Sequence, residues 1–95
     1  MIDARLSELG IELPQPVAPI ANYVPFVRSG NVIHISGQVS LDASGGIKGV
    51  VGEAVDMATA KAAARLCAIN LIAQMKAACD GDLERVVRIL SLIHI

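Results

Sequence analysis

The feature that most constrains the fold is one long stretch of helix-forming sequence, from about Val55 to Cys79, which contains nine alanines. Asp56 or Glu53 supplies an acidic start and Asp80-Gly81 a stop, as is usual at the two ends of a helix. At 100° per residue, the charged side chains after the first turn lie within about 60° of one another: Lys61, Arg65 and Lys76. The remaining surface is largely apolar, so we expect burial on more than one side.

The segment before the first strand combines a short helix with a loop. Residues 2–9 carry apolar residues at helical spacing and Gly10 follows as a stop, which predicts a short amphipathic helix that serves as an arm rather than a core element. Residues 13–25 hold all 4 prolines of the chain. Since proline removes a backbone donor and restricts the residue before it, we expect an ordered loop without helix there.

Two short apolar segments predict an antiparallel hairpin. They run from Tyr23 to Arg28 and from Asn31 to Gly37, and Ser29-Gly30 joins them over a length typical of a hairpin turn. Because side chains alternate between the faces of a strand, Ile33 and Ile35 share one face, which we expect to meet the core.

The remaining elements complete an α+β pattern. Leu41 to Gly46 reads as a turn by composition, and Ile47 to Val51 as a third short strand interrupted by Gly49. Leu83 to Leu90 reads as a final strand because of its branched apolar residues. The predicted order is therefore α-β-β-β-α-β, an α+β fold in which one long helix packs on antiparallel strands.

Composition and charge exclude several classes of function. The formal net charge is -1 and the aromatic residues are Tyr23 and Phe26, so the chain offers neither a basic patch nor a stacking platform for nucleic acid. No apolar stretch has the length of a membrane span, and residues 1–10 lack the apolar core of a secretory signal. We expect a cytoplasmic protein that binds neither nucleic acid nor membranes.

Three candidate sites have simpler interpretations. The glycine-rich run from Asp42 to Gly52 meets neither glycine spacing of the nucleotide-binding loops, so a turn with a bulged strand is favoured and no cofactor is predicted. His34 and His94 have no partner at ligand spacing, so no metal is predicted. His34 and Ser36 share a strand face, but two positions apart on one strand they lack the geometry of a catalytic triad.

An ordered series of motifs is more specific than any of these sites. The motifs are Ala21-Asn-Tyr-Val-Pro25, Ser36-Gly-Gln38, Gly49-x-x-Gly52, Ala62-Ala-Ala-Arg65 with Asn70, and Gly81-Asp-Leu83. In this order they resemble the YjgF/RidA family, also labelled endoribonuclease L-PSP or chorismate mutase-like, and in particular its longer subgroup. The resemblance covers essentially residues 2–89.

The resemblance implies a chorismate mutase-like α+β fold, here incomplete, assembled as a cytoplasmic homotrimer with ligand clefts between subunits. It implies hydrolysis of enamines and imines such as 2-aminoacrylate to a 2-oxo acid and ammonia, without a cofactor. Tyr23 and Ser36 correspond to the family's cleft-lining tyrosine and serine, and Gly37 to the glycine beside the serine. A purely structural role for these residues stays open, as does a non-enzymatic trimer that binds a small metabolite. Ribonuclease activity would follow only from a family label.

The family pattern also has parts that these residues do not match. Its substrate-binding arginine and its acidic residue for water activation belong downstream of Gly81-Asp-Leu83, and none of Arg28, Arg65 and Arg88 takes the arginine's position. We therefore name no catalytic residue, and expect residues 1–89 to be the N-terminal part of one RidA-like domain that is inactive by itself and aggregates when expressed alone. Its activity would belong to the intact parent.

The final six residues have an interpretation of their own. Leu90-Ser-Leu-Ile-His-Ile95 is what the transposase adapter CTG-TCT-CTT-ATA-CAC-ATC of shotgun libraries encodes, so we interpret residues 90–95 as a foreign tail. A natural terminal strand is the alternative. The codons after Ile89 distinguish the two, because synonymous codons would exclude the adapter.

Overall fold

The computed structural model of the chain describes residues 2–16, 22–42 and 45–91. Two antiparallel hairpins, β1–β2 and β3–β4, lie between two helices, and the second helix packs against β1, β2 and β3. This is the predicted α+β arrangement of one long helix on antiparallel strands. The elements in chain order are α1 (Ile2–Glu8), β1 (Phe26–Ser29), β2 (Val32–Ile35), β3 (Leu41–Asp42), β4 (Gly45–Gly46), α2 (Met57–Ala78) and a 3-10 helix (Leu83–Arg85).

Helix α2 begins and ends at residues suited to these positions. Asp56 is its N-cap and accepts a hydrogen bond from the amide of Thr59 at 2.8 Å, which satisfies one of the free amides of the first turn. At the other end Asp80 and Gly81 have φ angles of 54° and 90°, the left-handed conformation that commonly terminates a helix. The predicted long helix is confirmed, with slightly shorter ends.

The core lies along one face of α2. The buried residues of this helix are Asn70, Ala73 and Gln74, at spacings of three and four that place them on one stripe. Val55, Cys79 and Leu83 are the other residues with little exposure among those described. Two of the three buried positions on α2 are therefore amides rather than hydrocarbons, and buried amides require hydrogen-bond partners.

The first hairpin confirms the predicted pair of strands, although both are shorter. Phe26 faces Ile35 and Ser29 faces Val32, so the turn lies at Gly30-Asn31 rather than at Ser29-Gly30. Gly30 has a φ of 61°, a conformation that glycine adopts without steric cost. The burial of β2 alternates as predicted, with Ile33 and Ile35 partly covered and Val32 and His34 exposed.

The predicted third strand, Ile47 to Val51, is wrong. The structure pairs Leu41 with Gly46, so the expected turn is a hairpin whose central residues 43 and 44 lie outside the described part of the chain. Beyond it, Gly49 has a φ of 143°, and the carbonyl of Val50 accepts from the amides of Glu53 at 3.0 Å and Val55 at 3.2 Å. The chain therefore turns back on itself before α2 and cannot run as a strand.

The predicted final strand, Leu83 to Leu90, is also wrong within the described residues. Asp82 caps the 3-10 helix by accepting from the amide of Glu84 at 3.1 Å, and the amide of Val86 donates to the carbonyl of Leu83 at 3.1 Å. After the turn, residues 86–91 have no regular secondary structure. Branched apolar residues favour strands only where a neighbouring strand pairs with them, and this segment pairs with none of the described strands.

Helix α1 confirms the predicted arm. It packs against the 3-10 helix, where the amide of Ile2 donates to the carboxylate of Glu84, and Asp3 forms an ion pair with Lys76 at 3.4 Å. The described parts of the predicted proline loop, residues 13–16 and 22–25, contain no helix, while residues 17–21 lie outside the described chain. Residues 92–95 of the proposed foreign tail also lie outside the described chain.

Candidate functional site

The open end of the first hairpin carries the motif residue Ser36. Directly after β2, its amide and its hydroxyl both donate to the carbonyl of Pro25, at 2.9 Å and 3.1 Å. The amide bond continues the pairing of β1 with β2 by one further position beyond Phe26 and Ile35, and the hydroxyl bond is a side-chain contact to the same carbonyl. The side chain is therefore held in one orientation by the neighbouring chain segment.

This arrangement determines what the hydroxyl of Ser36 can do chemically. A hydroxyl has one proton and two acceptor lone pairs, and here the proton is engaged by Pro25. Its oxygen is left to accept hydrogen bonds from a ligand or a water molecule. Ser36 therefore suits the orientation of a donor, such as water or a substrate nitrogen, rather than attack as a nucleophile, for which a base would have to remove that proton.

Tyr23 and Gly37 lie at the same end of the hairpin. Tyr23 precedes Pro25 by two residues and is 44% exposed, and Gly37 follows Ser36 directly and is exposed. No heavy atom lies within 4 Å of the position that a Cβ of Gly37 would occupy, so there is open space beside Ser36. Pro25 and Ser36 are paired by hydrogen bonds, Gly37 adjoins Ser36, and Tyr23 lies two residues before Pro25, so the three predicted site residues are neighbours of this one pair along the chain.

The loop after this end is attached to α2 by a side chain that the sequence reasoning did not select as functional. The side-chain nitrogen Nδ2 of Asn70 donates to the backbone carbonyls of Val39 and Leu41, at 2.9 Å and 3.0 Å. Asn70 is part of the motif series that resembles the family, but the sequence assigned it no role. The signal that could have revealed its role is an amide residue on the otherwise apolar face of a helix, because such a buried group must find partners.

Two further side chains bond to the backbone within this loop. Gln38 donates to the carbonyl of Ser36 at 3.1 Å, and the hydroxyl of Ser40 donates to the carbonyl of Ile47 at 2.7 Å. The amide of Ile47 returns a hydrogen bond to the carbonyl of Ser40 at 3.0 Å. Residues 36–40 have no regular secondary structure, so these side-chain bonds replace the missing strand pairing.

Two arginines, Arg28 and Arg85, lie together at a cleft that does not include Ser36. A shallow cleft of about 270 Å³ includes Arg28 and Arg85, and none of Tyr23, Ser36 and Gly37 lines it. Arg28 donates to the carbonyl of Gly30 at 2.9 Å, so it belongs to the turn end of the hairpin. The structure therefore does not associate this arginine with Ser36.

The other motifs add no reactive cluster to the described chain. Among the described residues, no group of three or more histidines, cysteines or carboxylates is arranged to hold a metal ion. His34 is exposed on β2 opposite Val27, and His94 lies outside the described residues. Within the part of the chain that the structure covers, no helix is both long and apolar enough to cross a membrane.

The fold and the motif residues define a class of protein, and comparison with known proteins identifies the same class. Residues 3–95 match the profile of the YjgF/chorismate mutase-like family, which is described as "putative endoribonuclease". The chain belongs to this family. It is 44% identical to protein TCP17 of Trypanosoma cruzi over 92 residues, which are 96% of this chain and 57% of that protein.

Two solved structures resemble the fold. One is a protein of unknown function from Agrobacterium tumefaciens, with a TM-score of 0.81 and 47% identity over 94% of this chain and 54% of the other. The second is a "putative endoribonuclease" from Shewanella oneidensis, with a TM-score of 0.82 and 36% identity over 87% of this chain and 55% of the other. The chain thus spans a little over half the length of these relatives.

Proposed function

We propose that the intact protein acts in the cytoplasm, where it hydrolyses small enamines or imines such as 2-aminoacrylate to a 2-oxo acid and ammonia. The observation that carries the proposal is the orientation of Ser36, whose proton is engaged by Pro25 at 3.1 Å and whose oxygen is left as an acceptor. Membership of the YjgF/chorismate mutase-like family and the resemblance of the motif series to RidA support the same activity.

The reaction consumes one water and involves no redox change. The enamine first tautomerises to the imine, and the water oxygen then forms a bond to the imine carbon while the C=N electron pair moves to nitrogen, which takes up a proton. The hydroxyl proton of the resulting carbinolamine then passes to nitrogen as the C–N bond breaks, which releases ammonia and leaves the carbonyl of the 2-oxo acid. No cofactor is needed for this sequence of steps.

In this reaction Ser36 would orient the attacking water. Its oxygen accepts a hydrogen bond from one water O–H, which restrains the water oxygen near the imine carbon and reduces the entropic cost of the addition. Tyr23, at 44% exposure, offers a hydroxyl donor to the substrate and a ring that excludes solvent. Gly37 leaves space for the substrate to lie against the backbone beside Ser36.

We extend the proposal to a homotrimer in which a neighbouring subunit covers this end of the hairpin. Val24, Val27 and Val39 are exposed by 59%, 51% and 52%, and Val24 and Val39 lie close in sequence to Pro25 and Ser36. Exposed apolar side chains next to a site are typical of surfaces that a partner covers. Sedimentation of the full-length gene product tests this step, and a monomer at micromolar concentration would contradict it.

The activity is tested with the full-length gene product, coupled to a pyridoxal-dependent dehydratase that releases 2-aminoacrylate. We expect the rate of ammonia release to rise in proportion to the added protein. Tyr23→Phe should retain the ring but lose the donor, and so reduce the rate, whereas Ser29→Ala, at the far end of the same hairpin, should leave it unchanged. Ammonia release at the spontaneous rate for every protein concentration would show that the proposal is wrong.

The alternative is a non-enzymatic trimer that binds a 2-oxo acid. The cleft that contains Arg28 and Arg85 is lined by none of Ser36, Tyr23 and Gly37, and a carboxylate ligand needs a cationic partner at its own site, so both functions require a cationic residue from another part of the intact protein. The downstream residues of the full-length gene distinguish the two functions. An arginine together with an acidic residue at the family's positions favours catalysis, whereas the arginine alone favours binding, which calorimetry with pyruvate would detect.

A further inference from the structure

We propose that Asn70 is a positioning residue for the site, because it holds the loop that follows Ser36 in its ligand-competent conformation. Asn70 lies near the middle of α2 and is 2% exposed. It donates to Val39 at 2.9 Å and to Leu41 at 3.0 Å. An asparagine side-chain amide has two N–H groups, which suffice for both bonds, one to the loop residue Val39 and one to Leu41, the first residue of β3.

The two hydrogen bonds span a large separation in the chain. Asn70 is 31 residues from Val39 and 29 residues from Leu41, so the contact attaches the loop to the helix rather than stabilising a local turn. The two carbonyls flank Ser40, whose hydroxyl bonds in turn to Ile47 at 2.7 Å. The loop is thus fixed at Pro25, at Asn70 and at Ile47.

The attachment to Asn70 determines the direction in which the loop leaves Ser36. Because residues 36–40 lack regular secondary structure, their backbone is held by these individual bonds rather than by a ladder of strand pairing. Without Asn70, the carbonyls of Val39 and Leu41 would each lose a donor in a partly buried position, which favours rearrangement toward water, although the carbonyl of Val39 would keep the amide of Leu41 at 2.9 Å. Gly37 and Gln38, which connect Ser36 to Val39, would shift with them.

The role of Asn70 in holding the loop does not depend on the activity of the protein, whereas its consequence for turnover rests on the proposed imine hydrolysis. We therefore separate the two in the test. The full-length gene product is prepared as Asn70→Leu, which keeps the approximate shape of the side chain but has no donor. Cys79→Ala is the matched control, since Cys79 is a buried residue at the end of the same helix and makes no contact with the loop among the hydrogen bonds given above.

Hydrogen exchange tests the role of Asn70 in holding the loop. The amides of Leu41 and Ile47 are hydrogen-bonded to Val39 and Ser40 within the loop, so their exchange reports its local opening. We expect Asn70→Leu to accelerate exchange at both amides by about tenfold or more relative to the amides of α2, the effect of losing roughly one buried hydrogen bond. Cys79→Ala should change exchange of loop and helix together. Equal changes in loop and helix for Asn70→Leu would overturn the proposal.

A double-mutant cycle with Ser36→Ala tests the consequence for the site. If Asn70 acts through Ser36, the two substitutions should each lower kcat but together cost about as much as Ser36→Ala alone. Strictly additive effects on kcat would overturn the positioning role. If the wild-type protein accelerates nothing, the proposed function fails while the exchange experiment still decides the role of Asn70. If Asn70→Leu does not fold, Asn70→Ser, which keeps one shorter donor, is measured by the same criteria.

Discussion

The carbonyl of Pro25 accepts two hydrogen bonds from Ser36, one from its amide at 2.9 Å and one from its hydroxyl at 3.1 Å. The first extends the pairing of the hairpin by one position, and the second orients the side chain at the point where strand pairing ends. A residue with a structural amide and an oriented hydroxyl can be changed in its side chain without loss of the backbone contact. Ser36 is therefore well suited to mutational tests.

Ser36→Ala should lower turnover with little effect on folding. The backbone bond to Pro25 remains, so the loss in stability should be about 1 kcal/mol, while kcat of the proposed hydrolysis should fall by about ten- to a hundredfold with KM nearly unchanged, because water rather than substrate is oriented. Steady-state kinetics and urea unfolding of the full-length protein measure the two effects. A rise in KM at constant kcat would instead assign Ser36 to substrate binding.

Gly49→Ala should be more destabilising than Gly52→Ala. Both glycines have positive φ, at 143° and 93°, which costs about 1–2 kcal/mol for an L-residue. At Gly49 the new Cβ would in addition lie 2.6 Å from a methyl carbon of Val55, whereas nothing lies within 4 Å at Gly52. Urea unfolding compares the two variants. Adding Val55→Ala should recover part of the loss only for Gly49→Ala, and equal costs at both glycines would contradict the steric explanation.

Leu83→Ala should be strongly destabilising, although it lies in a short 3-10 turn. Leu83 is 2% exposed, and truncation of a buried leucine typically costs about 2–5 kcal/mol because a cavity remains. Leu9→Ala is the matched control, since Leu9 is 50% exposed and should lose less than about 1 kcal/mol. Chemical denaturation measures both. Similar losses for the two variants would mean that the 3-10 turn is not part of the core.

Asp56 should make the stability of α2 depend on pH. Hydrogen bonds from the Thr59 side chain and from the Thr59 amide hold the pKa of the Asp56 carboxyl below its usual value. A lowered folded-state pKa stabilises the fold above the unfolded pKa of about 4, and this stabilisation is lost as the pH falls through the folded value. Asp56→Ala should therefore lower Tm by a few degrees at pH 7.

Measurements at acid pH distinguish the contribution of the Asp56 charge from that of its N-cap hydrogen bond. Asp56→Asn keeps an N-cap acceptor without a titrating group, so its Tm should fall less steeply than that of the wild type between pH 5 and pH 2. Thermal unfolding followed by circular dichroism measures the difference. Parallel pH profiles for the two proteins would show that the cap does not contribute through its charge.

The pattern of residues along the chain determined the two helices, the first hairpin and the family. Alanine content and the acidic start predicted α2, Gly10 predicted the end of α1, and the alternation around Ile33 predicted which face of β2 meets the core. These signals are local, because helix ends and strand faces depend on residues within one or two turns of each other. The motif series likewise indicated the family without any structure, and brought Tyr23, Ser36 and Gly37 forward as candidates.

Only the tertiary structure decided the contacts that depend on distant residues. The role of Asn70 lies in carbonyls 29 and 31 positions away, and the failure of Leu83 to Leu90 to form a strand depends on the absence of a pairing neighbour among the described strands. Propensity describes how one residue fits a strand or helix, whereas pairing and buried hydrogen bonds need a second segment at the right distance. That second segment is set by packing, which is why the sequence predicted α1, α2 and the first hairpin correctly but predicted two strands that do not form among the described residues and missed the attachment around Ser36.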